Sequence, residues 1–213
     1  MFPAHPMAES PVTPSDRRTP PKRPLSYEEF LEWADEDVHA EWVDWEVIVM
    51  SPASDRHQDL VRFLTATLSL LVEAKDLGIV RPAPFQMKLE NGREPDVLFV
   101  ADEHRDRLRE TYLDGPADLV VEIVSPGSGP RDRGDKFYEY EAGGVPEYWL
   151  VDPAREQVEL YRLTDAGRYR LVQPDEGDVY RSAVAPGFWL KASWLWQEPL
   201  PKVMDVARTW EIV

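Results

Sequence analysis

Apolar residues recur along the chain at the two spacings that distinguish helices from strands. Between Asp55 and about Asp76 they recur every three or four positions, behind Ser54 and ahead of Gly78. This pattern predicts a helix that is capped by the serine and stops at the glycine. The unbroken apolar run from 118 to 125 predicts a strand that is buried on both faces.

Shorter patterns predict the remaining elements. The segment Ser26–Glu29 is a capping box ahead of a short helix that ends near Ala34. Asn91-Gly92 is a two-residue hairpin signal between strands, and a further helix is predicted over 132–143. The other predicted elements are two strands within 41–50, strands at 79–89, 96–100, 148–151, 158–163 and 169–172, and a charged loop or frayed helix at 101–114.

This order of elements predicts a single α/β domain, a mixed sheet flanked by helices, from about residue 25 to residue 197. Residues 1–24 contain seven prolines and little that could form a core, so we expect a disordered or extended tail. Residues 198–213 are expected to form a C-terminal extension.

Composition narrows the classes of function. The chain lacks Cys, an apolar stretch of membrane-spanning length and a secretory signal pattern, so a cytoplasmic location is expected. The net charge of the chain is −16. The first 24 residues have a net charge of +2, and residues 25–213 have a net charge of −18. Such a field is unfavourable for a polyanion such as DNA, and any nucleic-acid function must overcome it.

Two carboxylates and one amine accompany the strongest strand patterns. Asp96 begins one predicted strand, Glu122 lies in the middle of the next buried strand, and Lys136 follows in the first turn of a helix. Burial of a charged Glu among aliphatic neighbours costs free energy unless the carboxylate is paired or binds a cation. If the two strands are neighbours in register, both carboxylates converge, as a Mg²⁺ site requires. The lysine could then stabilise developing negative charge.

The residues alone also allow a structural interpretation. Asp96 follows a proline and could bond backbone amides in a turn. Glu122 could form a structural ion pair with one of three nearby cations, Arg131, Arg133 or Lys136. Lys88 is an alternative amine, although a snorkelling surface position is its default role.

Other chemistries lack their sequence signals. No Walker loop, dinucleotide fingerprint or nucleophile elbow is present in the sequence. Four scattered His residues without any Cys give no zinc-site spacing.

A series of short motifs spans most of the chain between residues 41 and 190. They are Glu41-Trp42-Val43-Asp44, Met50-Ser51-Pro52, His57, Pro95-Asp96-Val97, Asp118 to Pro126, Asp132 to Lys136 with Tyr140, Ala142 to Val145, Glu147 to Pro153 and Pro186-Gly187-Phe188. In this order they resemble the Uma-two family of the PD-(D/E)XK restriction-endonuclease-like superfamily. The resemblance implies a nuclease-like fold, with a mixed four-stranded core sheet, flanking helices and extra strands.

The resemblance also implies roles for individual residues. Asp96 matches the metal-binding Asp after Pro, and Glu122 matches the Glu of the following strand. The usual superfamily Lys stands two residues after that Glu, where this chain has Val124. The family pattern instead implies a lysine supplied from the next helix, and Lys136 fits it. Glu41 matches an N-terminal acidic position that adds a metal contact.

Three positions have competing interpretations. By its sequence context alone, Glu41 is more often a solvated charge at a strand edge than a metal ligand. His57 matches a family helix His without an assigned role, and a hydrogen-bonded His at the edge of the core is an equal alternative. Trp45 replaces the Gly that is common in the family hairpin, which affects the expected turn rather than the site.

Two functions therefore remain open. The first is an endonuclease that hydrolyses phosphodiester bonds of DNA with Mg²⁺ or Mn²⁺ on Asp96 and Glu122, with Lys136 and Glu41 completing the catalytic set. The second is a catalytically inactive nuclease-fold module that binds a partner or dimerises, which the acidic surface favours. A homodimer is expected in both cases because many nucleases of the superfamily pair.

Overall fold

The computed structural model describes residues 19–34, 38–125 and 128–212, which form five α-helices, thirteen strands and two 3-10 helices. The helices are α1 (Tyr27–Ala34), α2 (Asp55–Ala74), α3 (Gly129–Arg133), α4 (Asp135–Gly143) and α5 (Val203–Thr209). The strands are β1 (Ala40–Val43), β2 (Glu46–Val49), β3 (Gly78–Pro82), β4 (Gln86–Lys88), β5 (Gly92–Arg93), β6 (Val97–Ala101), β7 (Tyr112–Asp114), β8 (Leu119–Ile123), β9 (Glu147–Asp152), β10 (Gln157–Leu163), β11 (Tyr169–Val172), β12 (Val179–Arg181) and β13 (Trp189–Lys191). The 3-10 helices are Asp102–Arg107 and Ala192–Trp196.

The main sheet has six strands in the order β11-β10-β9-β8-β6-β3. Its centre is β8, whose five residues are all buried because strands flank it on both sides and helices cover both faces. The β8–β9 pair is parallel, and the other neighbours are antiparallel. This mixed sheet with flanking helices confirms the predicted α/β architecture.

A second sheet lies beside the first, with the order β2-β1-β5-β4-β7. Its β1–β5 pair is antiparallel with Trp42 opposite Gly92, which places Glu41 opposite Arg93. The strands β12 and β13 form a separate antiparallel pair. The second sheet therefore brings the beginning of the chain next to the segment that leads into β6.

Two apolar cores cover the two faces of the main sheet. On one face, α2 and the C-terminal segment close the larger core; its residues include Phe63, Leu71, Phe99, Val121, Trp149, Val206 and Trp210. On the other face, α4 packs over a smaller core; its residues include Leu98, Val120, Tyr140, Val145 and Tyr148. Because β8 alternates between these cores, Glu122 shares the α4 face with Val120.

The first helix begins with the predicted capping box. The backbone N–H of Ser26 donates to Oε2 of Glu29 at 2.9 Å, and the N–H of Glu29 donates to Oγ of Ser26 at 3.2 Å. Leu25 and Phe30 are both buried in the cluster that covers β1. The predicted Pro-rich tail lies mostly outside the described residues, which begin at residue 19.

The segment between α2 and β6 differs from the prediction. The helix ends at Ala74 rather than next to Gly78, which is instead the first residue of β3. The single strand predicted at 79–89 is two strands in different sheets, β3 and β4, because prolines at 82 and 84 interrupt the hydrogen-bond ladder between them.

The predicted two-residue turn at Asn91-Gly92 is also wrong in detail. The hairpin between β4 and β5 exists, but its loop is 89–91, and Gly92 belongs to β5. A glycine is needed there for a different reason, because a Cβ atom would lie 2.4 Å from the Tyr27 ring.

The predicted helix over 132–143 is divided in two. Asp132, the first residue of the predicted helix, lies inside α3, and Gly134 joins α3 to α4 with φ −114° and ψ −95°. A Cβ atom at this position would lie 2.6 Å from the Pro130 carbonyl oxygen. Within the described part of the chain, no helix combines the length and apolar character that crossing a membrane requires.

Candidate active site

Asp96 and Glu122 lie next to each other across two antiparallel strands. Val97 of β6 is paired with Val121 of β8, so Asp96, one residue before β6, stands opposite Glu122. Oδ2 of Asp96 accepts a hydrogen bond from the backbone N–H of Ile123 at 2.7 Å. The structure therefore brings together the two carboxylates that the sequence singled out.

His57 from the first turn of α2 supports Asp96 from the other side. Its Nε2 lies 3.2 Å from Oδ2 of Asp96, while its buried Nδ1 has no hydrogen-bond partner among the described residues. Burial lowers the pKa of His57, but the hydrogen bond and the charge of Asp96 outweigh burial and raise it. His57 thus faces the candidate site as a donor.

Glu122 is buried in the middle of β8 and makes two strong hydrogen bonds. Its Oε1 accepts from Nζ of Lys136 at 2.8 Å and from the hydroxyl of Tyr140 at 2.7 Å. Burial raises the pKa of Glu122 above its ordinary value, the Lys136 ammonium opposes this rise, and the charges of Asp96 and Asp132 add to it.

Lys136 reaches Glu122 from the first turn of α4, as the resemblance implied. Its Nζ lies 2.8 Å from Oε1 of Glu122 and 2.8 Å from Oε1 of Glu41. Burial lowers the pKa of Lys136, but these two carboxylates outweigh burial and raise it, so the side chain stays an ammonium ion. Val124, at the usual lysine position, instead packs against the smaller core.

Glu41 is fully buried on β1 and both of its oxygens face cations. Oε1 lies against Lys136, and Oε2 accepts a hydrogen bond from Arg93 at 3.1 Å. Burial would raise the pKa of Glu41, but the charges of Lys136 and Arg93 lower it. Glu41 therefore belongs to the lysine side of the cluster.

Three residues of the cluster had no predicted role. Arg93 approaches from β5, and Tyr140 lies one helical turn after Lys136, a spacing that places both α4 residues on one face. Asp132 of α3 is buried, and its Oδ2 accepts a hydrogen bond from Ser128 at 2.6 Å. The i, i+4 spacing could have identified Tyr140, whereas Arg93 required knowledge of the sheet pairing.

Lys88 does not join this cluster. Its amine lies 4.5 Å from the centre of the Trp42 ring and donates to the carbonyl groups of Leu89 and Glu90. A cation held over an aromatic face and by carbonyl groups is a structural contact.

The cluster has the chemistry of a hard-cation site. Four neighbouring carboxylates face two permanent cations; the carboxylates are those of Glu41, Asp96, Glu122 and Asp132, and the cations are Lys136 and Arg93. Oδ1 of Asp96 and Oε2 of Glu122 accept no hydrogen bond from the described residues, so each acid retains an oxygen for a ligand.

Two acids of the cluster, Asp96 and Glu122, are candidate metal ligands. Across residues 19–34, 38–125 and 128–212, no group of three or more His, Asp or Glu side chains is arranged to hold an ion. Mg²⁺ commonly takes only one or two carboxylates and completes its coordination with water and phosphate oxygens, so Asp96 and Glu122 could hold that ion.

Comparisons with known proteins agree with this fold. The chain is 27% identical over 159 residues to the "Uncharacterized protein slr1290" of Synechocystis sp., a match that spans 72% of this chain and 82% of that one. A crystal structure of a "putative nuclease belonging to DUF820" from Anabaena variabilis superposes with a TM-score of 0.67 at 17% identity. That superposition covers 81% of this chain and 98% of the other. The family model described as "Uma2: Putative restriction endonuclease" matches residues 27–193, and the chain therefore belongs to the Uma2 family.

Proposed function

We propose that this protein is a metal-dependent endonuclease that hydrolyses phosphodiester bonds of DNA and works as a homodimer in the cytoplasm. The observation that carries the proposal is the pairing of Asp96 with Glu122 across β6 and β8, with the Lys136 ammonium 2.8 Å from Glu122. The description of the Uma2 family and the nuclease-like fold support the same reaction class.

In this proposal, Asp96 and Glu122 would hold Mg²⁺ or Mn²⁺, since each has an oxygen that accepts no hydrogen bond from the described residues. Such an ion neutralises charge on the phosphoryl group and lowers the pKa of bound water. The hydrogen bonds from Ile123 and His57 keep the carboxylate of Asp96 oriented toward Glu122.

Lys136 supplies a positive charge from the protein at the site, in addition to that of the metal ion. Burial lowers the pKa of Lys136, but the charges of Glu122 and Glu41 outweigh burial and raise it, so the side chain is positively charged at neutral pH. A fixed ammonium next to the reacting phosphate stabilises negative charge that develops in the transition state. The buried hydroxyl of Tyr140 holds Glu122 at the same time, so the acid does not swing away from the metal position.

The direct test is cleavage of supercoiled plasmid and of branched DNA with Mg²⁺ or Mn²⁺. We expect Asp96→Asn, Glu122→Gln and Lys136→Met each to reduce the rate about 100-fold or more. Asp175→Asn is the matched control, because it removes one carboxylate from an exposed ion pair with Arg181. Equal rates in the wild type and in all three site variants would refute the endonuclease.

A second function, an inactive nuclease-fold module, is favoured by one observation. Lys136 is only 2% exposed and is held between two carboxylates, within a chain of net charge −16. Titration calorimetry with Mn²⁺ separates the two functions: binding that Asp96→Asn and Glu122→Gln abolish supports the enzyme, and no binding supports the module. Light scattering tests the homodimer in either case.

A further inference from the structure

A row of alternating charges runs through the interior from α4 to β8. Glu139 holds Arg93, Arg93 holds Glu41, Glu41 holds Lys136, and Lys136 holds Glu122. The four N···O separations are 2.6, 3.1, 2.8 and 2.8 Å. Each of the three inner members, Arg93, Glu41 and Lys136, therefore contacts an opposite charge on both sides.

Of the two buried cations in this row, Arg93 is the one farther from Glu122. Its side chain is 3% exposed, and it stands opposite Glu41 in the β1–β5 pair. Its Nε donates to Oε2 of Glu139 at 2.8 Å, while its Nη1 donates to Oε2 of Glu41 at 3.1 Å. The guanidinium plane therefore joins α4 to the second sheet by two directed contacts.

Hydrogen bonds from Asn91 fix the Glu139 carboxylate that binds Arg93. The backbone N–H and the side-chain amide of Asn91 donate to the two oxygens of Glu139 at 3.1 and 3.0 Å. Asn91 also accepts a hydrogen bond from the N–H of Asp44 in the β1–β2 turn. The hairpin loop thus fixes the glutamate that orients the arginine.

We propose that Arg93 is a positioning residue for Lys136, acting through Glu41, an inference that rests on the proposed endonuclease. Glu41 is buried with one oxygen on each cation. While Arg93 shares its charge, Glu41 stays on β1 and Lys136 keeps its contact with Glu122. Without Arg93, Glu41 has one counter-ion only and draws the ammonium away from Glu122.

The readout that decides this inference is the ¹H–¹⁵N signal of the Lys136 ammonium, which is assigned by its absence in Lys136→Met. We expect Arg93→Met to shift or abolish the signal and Arg93→Lys to restore part of it. Arg162→Met is the matched control, because it also removes a cation from a fully buried glutamate, Glu147, outside this row. Glu139→Gln is the milder variant to use if Arg93→Met fails to fold.

Cleavage kinetics supply the second readout. We expect Arg93→Met to lower kcat about tenfold to 100-fold with little change in KM, because DNA binding is untouched while the ammonium is misplaced. Arg162→Met should leave kcat and KM as in the wild type.

The two proposals fail in different ways. A wild-type protein that does not cleave DNA overturns the endonuclease, yet the ammonium signal still tests the positioning role. A Lys136 signal that is the same in the wild type, Arg93→Met and Glu139→Gln overturns the positioning role, whatever the wild-type rate.

Discussion

Nζ of Lys136 lies 2.8 Å from Oε1 of Glu122, although α4 and β8 are separate elements joined through α3. Both side chains are almost completely buried. A buried ion pair adds little net stability by comparison with an apolar pair, but removal of one partner leaves an uncompensated charge. This asymmetry leads to the first prediction.

Lys136→Met should lower the free energy of unfolding by about 3–5 kcal/mol, because Glu122 then loses the ammonium partner that lies 2.8 Å away. Adding Glu122→Gln removes the stranded charge, so the double variant should recover part of the loss. Urea denaturation of the wild type, both single variants and the double variant gives the four unfolding free energies of a double-mutant cycle. A double variant as unstable as the two single losses added together would contradict this account.

Gly134→Ala should destabilise the protein by about 1–3 kcal/mol and slow DNA cleavage. The new Cβ atom would lie 2.6 Å from the Pro130 carbonyl oxygen, which is backbone and cannot rotate away. The resulting shift of α4 carries Lys136 with it. Gly129→Ala is the control, since the nearest atoms that its Cβ atom would meet among the described residues are side-chain atoms, at 3.3 and 3.5 Å. Thermal unfolding and plasmid cleavage measure the two effects; equal values for the two variants would contradict the prediction.

Glu147 should make stability depend on pH. Burial raises its pKa although Trp149 and Ala183 donate hydrogen bonds to its carboxylate. A raised folded pKa gives a contribution to stability that is complete below the ordinary value of 4.5 and is lost as pH rises through the folded value.

We therefore expect the difference in unfolding free energy between the wild type and Glu147→Gln to be largest near pH 4 and to shrink towards neutral pH. Glu176→Gln, at an exposed position, should show no such trend. Urea denaturation at a series of pH values provides the test, and a difference that grows with pH would reverse the assigned direction.

Ser26→Ala should cost about 1 kcal/mol of stability without changing cleavage. The substitution leaves the N–H of Glu29 without its cap, while the candidate site on α4 and β8 is untouched. Glu32→Gln, on the exposed side of the same helix, should have almost no effect. Chemical denaturation gives the stability, and a clear loss of activity in Ser26→Ala would show that α1 influences the site.

The local parts of this structure were predictable from the sequence. The capping box, the long helix α2 and the doubly buried strand β8 follow from patterns that extend over a few residues. The neighbouring positions of Asp96 and Glu122 were predicted only on the condition that their two strands pair. The strands β6 and β8 do pair, although β7 lies between them along the chain.

The long-range contacts were not predictable in the same way. Arg93 has no local signal, because its role depends on β1 lying beside β5, which the sequence does not specify. The strand β7 is hidden within the charged stretch at 101–114 and pairs in parallel with β4. The break between α3 and α4 depends on a close approach of Gly134 to a carbonyl oxygen, which no apolar periodicity records.

The row from Glu139 to Glu122 also affects the order in which the protein matures. Glu41 and Arg93 are synthesised well before Lys136, which shares α4 with Glu139. A growing chain that has already formed β1 and β5 therefore lacks Lys136, the partner of Glu41, and Glu139, the partner of Arg93. The candidate nuclease centre is completed only when α4 leaves the ribosome, so a nascent chain released earlier carries the acids without the ammonium.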